Sequence, residues 1–234
     1  MHTIGLIGGM SWESSQTYYQ LINQGIRDQL GGLHSAKLVL YSVDFAEIEN
    51  LQHQGDWDAT ARILVRAAKA LEAAGADFMV LCTNTMHKVS TQIEEAVSIP
   101  LLHIADATAT VLKSAGVSRV GLLGTRFTME QDFYRDRLER QGIRVLVPDE
   151  SQREHIHAVI YDELCLGKIK AESKKAYLDI VASLAGRGAQ GVILGCTEIG
   201  LLIQAADTTV PLFDTTRIHA EQAVRFALGG NLSG

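Results

Sequence analysis

The chain has 234 residues, of which 47% are hydrophobic and 21% are charged, and its formal net charge is −6. This profile is typical of a globular protein with a substantial hydrophobic core, and it excludes disorder over most of the chain. The acidic balance and the lack of a long basic run argue against nucleic-acid binding, and no segment is apolar over the length that a membrane helix requires.

Short apolar runs alternate with longer amphipathic stretches along the chain. The apolar runs predict strands at 3–7, 37–43, 78–82, 119–123, 143–147 and 191–194. Because these runs are apolar almost throughout, they favour parallel strands covered on both faces. A helix is predicted over 57–74, with Gly75 as its stop, and another over 128–140, which opens with a candidate capping box at Thr128. Strand and helix in alternation predict a parallel α/β fold.

Three segments recur in the same order in the two halves of the chain, which indicates an internal duplication. The paired segments are 4–9 and 120–125, 75–85 and 188–198, and 99–102 and 210–213. We therefore predict two similar doubly wound lobes related by a pseudo-two-fold axis. The first lobe is predicted to comprise residues 1–103 plus 211–234, and the second residues 104–210.

The repeat makes Thr83 and Cys196 equivalent positions, each directly after an apolar strand. Ligands of parallel α/β sheets bind beyond the carboxyl ends of the strands. A pseudo-two-fold axis would bring the two residues to opposite sides of one cleft. We therefore predict an active site in the cleft between the lobes, with chemistry on two faces of a single atom.

Cys196 is the candidate catalytic thiol among three cysteines. The polar pair Thr197 and Glu198 follows it, as expected at the start of a helix, where the positive end of the helix dipole favours a thiolate. The alternative is a buried structural cysteine. Cys82 and Cys165 are predicted to be packed in the interior. The odd, small number of cysteines and the lack of a signal-peptide pattern lead us to expect reduced thiols in the cytoplasm. Because no C-x-x-C pair and no neighbouring His cluster is present, a zinc site is not expected.

The turn Thr83-Asn84-Thr85 matches Cys196 in the first half of the chain. Its amides and hydroxyls suit a carboxylate ligand, and the alternative is that these residues only cap a helix. The equivalence to Cys196 favours ligand binding. The glycines before Met10 predict a tight turn that lets a ligand approach the backbone. Gln52 and Lys168 are weaker candidates for polar ligand contacts. His87 and His219 are candidate proton carriers, or else structural residues.

Three motifs together resemble the aspartate/glutamate racemase family. They are Gly5-Leu6-Ile7-Gly8-Gly9-Met10-Ser11-Trp12, Cys82-Thr83-Asn84-Thr85-Met86-His87 and Leu194-Gly195-Cys196-Thr197-Glu198. The resemblance extends over nearly the whole chain and is nearest to the enterobacterial branch of amino-acid racemases. It implies two α/β lobes, an amino-acid substrate, no cofactor, no metal and a homodimer. It also implies a two-base mechanism, in which one thiol removes the α-proton and another returns a proton on the opposite face.

The resemblance implies that substrate contacts fall on residues that match the family pattern. These residues are Met10, Gln52, Thr83, Asn84, Thr85, Lys168, Cys196 and Thr197. One position departs from the pattern, because the family has cysteine where this chain has Thr83. A free cysteine has a pKa of about 8.5 and a hydroxyl is comparable to water at about 15.7. We therefore expect Cys196 to act well on one face of the substrate and the Thr83 face to be slow.

Two other functions remain open from the sequence. A single active cysteine in this superfamily also suits a decarboxylase or a double-bond isomerase. A third interpretation is a non-catalytic sensor that binds a small molecule in the cleft. Loss of turnover on replacement of Cys196 separates an enzyme from a sensor, and the products separate a racemase from the other enzymes.

Overall fold

The computed structural model describes residues 1–230, and the chain divides into two compact units. The first unit comprises Met1–Ile104 and the segment from His219 onward, and the second comprises Ala105–Ile218. The sequence predicted the return to the first lobe at residue 211. The return comes later in the structure, because a strand over Leu212–Asp214 pairs within the sheet of the second unit.

Each unit contains a four-stranded sheet in which all pairings are parallel. The strands are β1 (Ile4–Gly8), β2 (Leu38–Ser42), β3 (Phe78–Leu81), β4 (Leu101–Leu102), β5 (Arg119–Gly124), β6 (Arg144–Leu146), β7 (Val192–Gly195) and β8 (Leu212–Asp214). Their order is β2-β1-β3-β4 in the first sheet and β6-β5-β7-β8 in the second. The same topology occurs twice, and the predicted pair of parallel α/β lobes is confirmed.

The helices connect the strands as parallel crossovers require. They are α1 (Trp12–Leu30), α2 (Phe45–Gln54), α3 (Trp57–Ala73), α4 (Ser90–Glu94), α5 (Ile104–Ser114), α6 (Arg126–Glu130), α7 (Asp132–Glu139), α8 (Glu150–Asp162), α9 (Ala171–Gly186), α10 (Ile199–Leu202) and α11 (Thr215–Ala227). Short 3₁₀ helices cover Thr85–Val89, Leu164–Leu166 and Ala205–Asp207. No helix within residues 1–230 combines the length and apolar character needed to cross a membrane.

The inner strands β1 and β3 of the first sheet are covered on both faces, as their uninterrupted apolar runs predicted. The prediction is wrong for the edge strand β2, where Leu40 and Tyr41 are exposed. Alternate residues of β3 enter different clusters: Met79 and Leu81 pack on the α3 side, and Phe78 and Val80 pack on the side of α1 and α11. This alternation follows from the two-residue period of a strand. The helix predicted over 57–74 is α3, and its apolar stripe is fully buried against β1 and β3; the stripe comprises Leu64, Ala67, Ala68 and Leu71. Each large apolar side chain buried in this way contributes about 1.5–3 kcal/mol to folding.

The predicted helix over 128–140 is wrong in its start and its continuity. Two helices, α6 and α7, occupy the region, and the backbone is extended between them at Gln131 (φ −90°, ψ 148°). The cap of α6 is Thr125, whose hydroxyl oxygen accepts the Thr128 N–H at 3.3 Å, and Thr128 itself is buried inside the helix. One continuous helix and two successive helices have a similar hydrophobic period, so the period does not predict the break at Gln131.

Candidate active site

Thr83 lies in a tight turn beyond the carboxyl end of β3. Its backbone N–H donates to the carbonyl of Leu81 at 2.8 Å. The preceding residue, Cys82, is fully buried, and burial raises the pKa of its thiol far above the ordinary range. Cys82 is therefore a packing residue, as predicted. Thr83 itself is half-buried, and within residues 1–230 its hydroxyl forms no hydrogen bond that would activate it as a base.

The polar residues after Thr83 start a 3₁₀ helix, not an α-helix. Asn84 and Thr85 are 4% and 6% exposed, so their side chains are almost entirely enclosed. The N–H of His87 donates to the Asn84 carbonyl at 3.1 Å and closes the first turn. A 3₁₀ helix of five residues has a weak dipole. Any anion binding here would therefore depend on individual N–H and hydroxyl donors.

Gln52 and Met10 are both buried in the first unit, in agreement with a position near the Thr83 turn. The Gln52 amide nitrogen donates to the sulfur of Met86 at 2.8 Å, and Met86 belongs to the 3₁₀ helix after the turn. Met10 packs in the same hydrophobic cluster as Met86. The amide oxygen of Gln52 is buried without a hydrogen-bond partner. Such an acceptor costs about 1–3 kcal/mol, which a donor on a ligand would offset.

Cys196 occupies the matching position in the second unit, directly after β7. Gly195 precedes it, and a Cβ atom there would lie 2.7 Å from the carbonyl oxygen of Leu123 on β5. Glycine therefore lets the two strands approach each other at the end that carries Cys196. The Cys196 side chain is partly exposed, and its thiol donates to Oε2 of Glu198 at 3.0 Å.

Glu198 is a functional candidate that its position in the sequence did not reveal. Its side chain is 7% exposed and directs a carboxylate oxygen at the Cys196 thiol. Acidic residues rarely occur at such burial without a partner. The spacing of two residues between Cys196 and Glu198 was the signal available in the sequence. Only the turn that brings the two side chains together shows that they interact.

The resting state of Cys196 is the thiol. Burial raises its pKa well above the ordinary value, the Glu198 carboxylate and its hydrogen bond raise it further, and a backbone N–H of Glu198 opposes them only in part. The polar residues after Cys196 had predicted a helix start whose dipole favours a thiolate, and this prediction is wrong. Helix α10 has only four residues, so its dipole is too small to outweigh burial and the adjacent negative charge.

Replacing Glu198 with glutamine is expected to lower the pKa of Cys196, because the substitution removes a neighbouring negative charge. Alkylation of the thiol by iodoacetamide at pH 8 should become faster, by about 10-fold if the pKa falls by one unit. Mass spectrometry of the Cys196 peptide measures the rate. Glu154→Gln, at an exposed carboxylate of the same unit, is the control. Slower alkylation in Glu198→Gln would contradict the assigned sign.

Thr197 and Lys168 lie in the second unit with Cys196. Thr197 is partly exposed in the turn after β7. Lys168 is exposed in the loop after Leu164–Leu166, where its backbone N–H donates to the carbonyl of Glu163 at 2.9 Å. Cys165, just before this loop, packs against the same hydrophobic cluster as Cys196. The role of Lys168 stays a prediction, because its side chain extends from the surface of the loop.

His219, one of the two candidate proton carriers, is completely buried in the first unit. One ring nitrogen, Nε2, lies 2.8 Å from the carbonyl of Leu102, and the other, Nδ1, lies 2.8 Å from the hydroxyl of Tyr18. A carbonyl only accepts hydrogen bonds, so Nε2 carries the proton and Nδ1 accepts from Tyr18. Burial lowers the pKa of His219 to about 4. A neutral, enclosed ring of this kind is structural, not a proton carrier near pH 7.

Acid is expected to destabilise the fold through His219. Its pKa is lowered to about 4 from an ordinary 6.5, so the unfolded chain binds a proton before the folded chain does. The free energy of unfolding should be unaffected by this group above pH 6.5 and fall by about 3 kcal/mol as the pH drops to 4. Urea unfolding at pH 7 and pH 4 measures the loss. An equal loss in His219→Gln would show that other groups cause it.

The predicted site residues are divided between the two units. Met10, Gln52 and the turn of Thr83 belong to the first unit, and Cys196 and Thr197 share a turn in the second. No group of three or more His, Cys, Asp or Glu side chains in the described part of the chain is arranged to hold a metal ion.

Comparison with known proteins finds a family match over most of the chain. The chain matches the sequence model of the Asp/Glu/hydantoin racemases over residues 7–223. It is 57% identical to a protein of Yersinia pestis assigned provisionally to the Asp/Glu racemases, with a TM-score of 0.92 over 97% of this chain and 100% of that one. An aspartate racemase homologue from Pyrococcus horikoshii OT3 is 36% identical, with a TM-score of 0.86 over 97% and 100% of the two chains. The broad-specificity amino-acid racemase RacX of Bacillus subtilis is 26% identical over 171 residues, or 72% of this chain and 73% of that protein.

Proposed function

The chain belongs to the Asp/Glu/hydantoin racemase family, and from that premise we propose that it racemises an amino acid without a pyridoxal cofactor. Cys196 is the principal acid/base and Thr83 lies on the opposite face of the substrate. The observation that carries the proposal is the 3.0 Å hydrogen bond from the Cys196 thiol to the buried carboxylate of Glu198. A thiol at a strand end with a carboxylate acceptor is arranged to lose and regain a proton.

Proton removal begins at the thiol. Glu198 accepts the thiol proton, so that the S–H bond breaks and an O–H bond forms on the carboxyl group. The Cys196 thiolate then takes the α-proton of the substrate, which restores the S–H bond and leaves a carbanion. The conditions that raise the pKa of Cys196 also make its thiolate a stronger base toward a weakly acidic Cα–H bond.

The carbanion is stabilised by donors fixed in the two turns. Asn84 and Thr85 contribute N–H and hydroxyl groups in the first unit, and Thr197 contributes them in the second. Such donors act most strongly where water is excluded, because they do not have to reorganise during the reaction. Delivery of a proton to the opposite face completes racemisation. Thr83 supplies it directly or through a water molecule, and the base left behind regains a proton from solvent while Glu198 releases its own proton to solvent. This step is the slower one.

The substrate class follows from the polar contacts. The unpartnered amide oxygen of buried Gln52 suits the α-ammonium group of an amino acid. Met10 lines the apolar side of the same region. Lys168, which is exposed, is assigned to the side-chain carboxylate of an acidic substrate from the resemblance to the racemase family. Aspartate and glutamate fit this set best, and homoserine is the neutral analogue to compare with them.

The experiment that tests the proposal separates enzyme classes by product. The purified chain is incubated with L-aspartate or L-glutamate, without pyridoxal phosphate and with a metal chelator, and chiral chromatography follows the D-isomer. The D-isomer is expected to accumulate at the expense of the L-isomer. Carbon dioxide release would indicate a decarboxylase and a new alkene an isomerase. Saturable binding without any product would indicate a sensor.

Three further expectations belong to the same proposal: a homodimeric assembly, a location in the cytoplasm and independence from metals. Size-exclusion chromatography with light scattering measures the first, and the chelator in the assay above measures the third. None of them alters the role assigned to Cys196.

A further inference from the structure

A buried histidine, His87, forms a hydrogen bond with the Thr83 carbonyl. Nδ1 of His87 lies 2.8 Å from the Thr83 carbonyl oxygen, four residues earlier in the chain. The His87 side chain is 2% exposed, so solvent does not compete for this hydrogen bond. The contact therefore constrains the backbone at Thr83, while the ring itself faces away from solvent.

The other ring nitrogen defines the proton positions of His87. Nε2 accepts the backbone N–H of Ile104 at 3.2 Å. A backbone N–H only donates, so Nε2 is unprotonated, and a carbonyl only accepts, so Nδ1 carries the proton. One tautomer and one ring orientation satisfy both contacts. Exchange of the two nitrogens by a ring flip would break both hydrogen bonds at once.

The surroundings of His87 prevent the ring from turning. The ring of His103 lies 4.4 Å from it between centroids, and that of His219 lies 5.8 Å away, both at steep interplanar angles. His219 is fixed in turn by Tyr18 and by the Leu102 carbonyl. The three aromatic rings form a rigid, buried support beneath the Thr83 turn.

The preceding residue of the turn is held separately. The hydroxyl of Ser14, in the first turn of α1, donates to the carbonyl of Cys82 at 2.9 Å. Two successive carbonyls, those of Cys82 and Thr83, are therefore each bound by a side chain from a different element. This leaves little rotational freedom for the peptide units on either side of Thr83.

Fixing the Thr83 carbonyl also fixes the N–H of Asn84. Both belong to one planar trans peptide unit, in which the C=O and N–H bonds point in opposite directions. With the carbonyl directed at His87, the Asn84 N–H must point away from the histidine cluster. His87 thus determines the direction of a backbone donor that the proposed function assigns to the substrate.

We propose that His87 is a positioning residue that orients the Thr83-Asn84 peptide unit for substrate binding and for the slow proton transfer. It acts through the Thr83 carbonyl and does not touch the substrate. The proposal rests on the racemase function proposed above. It concerns only the neutral Nδ1–H tautomer of His87, which the two hydrogen bonds define.

Two substitutions of His87 separate its two hydrogen bonds. His87→Asn places an amide nitrogen near the position of Nδ1 and keeps a donor for the Thr83 carbonyl. His87→Gln places its amide near the position of Nε2 and keeps an acceptor for the N–H of Ile104. We expect His87→Gln to lower kcat/KM by about 10-fold or more, since a misplaced donor costs about that much, and His87→Asn to remain within about 3-fold of the unmodified chain.

His53→Gln is the matched control, because His53 Nδ1 also lies 3.0 Å from a carbonyl four residues earlier, that of Glu49, but on the exposed helix α2. Its kcat and KM should be unchanged. The positioning role would be overturned if His87→Asn and His87→Gln lost the same activity and if that loss only followed a lower melting temperature of each variant. Full activity in His87→Gln would also overturn it. An inactive unmodified chain would instead reject the racemase function.

A measurement on the unmodified chain keeps the inference testable if the variants do not fold. Long-range ¹H–¹⁵N NMR of labelled histidine distinguishes the two neutral tautomers and the charged ring. His87 is expected to show a protonated Nδ1 and an unprotonated Nε2 at pH 7. The opposite tautomer or a charged ring would contradict the geometry on which the positioning role depends.

Discussion

Replacement of Cys196 with alanine is expected to lower the rate of α-proton exchange by about 10³-fold or more for both enantiomers of the substrate, within the range for loss of a general acid–base group. Among the described residues, Cys196 is the only cysteine that lies at a strand end and donates its thiol proton to a carboxylate. The loss affects both directions because each enantiomer requires Cys196 either to remove or to deliver the proton. Proton NMR in D₂O measures the disappearance of the α-proton signal.

Cys165→Ala is the control for Cys196→Ala. Cys165 is a partly buried thiol of the same unit that packs against the same hydrophobic cluster. Its removal should leave exchange within about 3-fold, since side chains outside the reacting groups have small effects on the transition state. Exchange that persists in Cys196→Ala at the original rate would reject the assignment of the catalytic thiol. A loss of exchange in Cys165→Ala alone would move the assignment to the 3₁₀ segment Leu164–Leu166.

Thr83→Cys is expected to accelerate exchange of whichever enantiomer the unmodified chain exchanges more slowly, by about 10²-fold. A hydroxyl is a far weaker acid than a thiol, and the Thr83 hydroxyl forms no hydrogen bond within residues 1–230 that would compensate for its weak acidity. A thiol at this position restores a proton donor and acceptor suited to neutral pH. The same NMR assay, applied to each enantiomer separately, measures the change.

Thr83→Ser keeps a hydroxyl at the same position and serves as the comparison. It should leave the ratio of the two exchange rates within about 3-fold of the original, because the acidity of the group is nearly the same. An unchanged ratio in Thr83→Cys would contradict the idea that the hydroxyl limits one direction. A large change in Thr83→Ser would show that the γ-methyl group, and not acidity, controls that face.

Periodicity in the sequence was sufficient for most of the fold. Strands such as β1 and β3 are fully buried and read as continuous apolar runs, and the apolar stripe of α3 is fully buried. Strands β4 and β8 have only two and three residues, too few for a period to be visible. These two strands are recognised only by their pairing with β3 and β7, and local composition does not predict pairing between segments that are distant in the sequence.

The location of the candidate site was also predictable, but its electrostatics were not. The repeat identified Thr83 and Cys196 as equivalent, and both lie beyond strands of matching position in their sheets. The pKa of Cys196 depends on burial and on a carboxylate two residues away, neither of which a sequence motif specifies. The same limit applies to His87, whose role depends on hydrogen bonds to Thr83 and to Ile104.

The asymmetry between Cys196 and Thr83 is tested most directly by the exchange rates of the two enantiomers. L-aspartate and D-aspartate are incubated in parallel with the unmodified chain in D₂O, without pyridoxal phosphate, and the α-proton signals are followed by NMR. Unequal initial rates, with one enantiomer exchanging at least about 10-fold faster, are predicted from the different acidities of the thiol and the hydroxyl. Equal rates for the two enantiomers would contradict this account of the site.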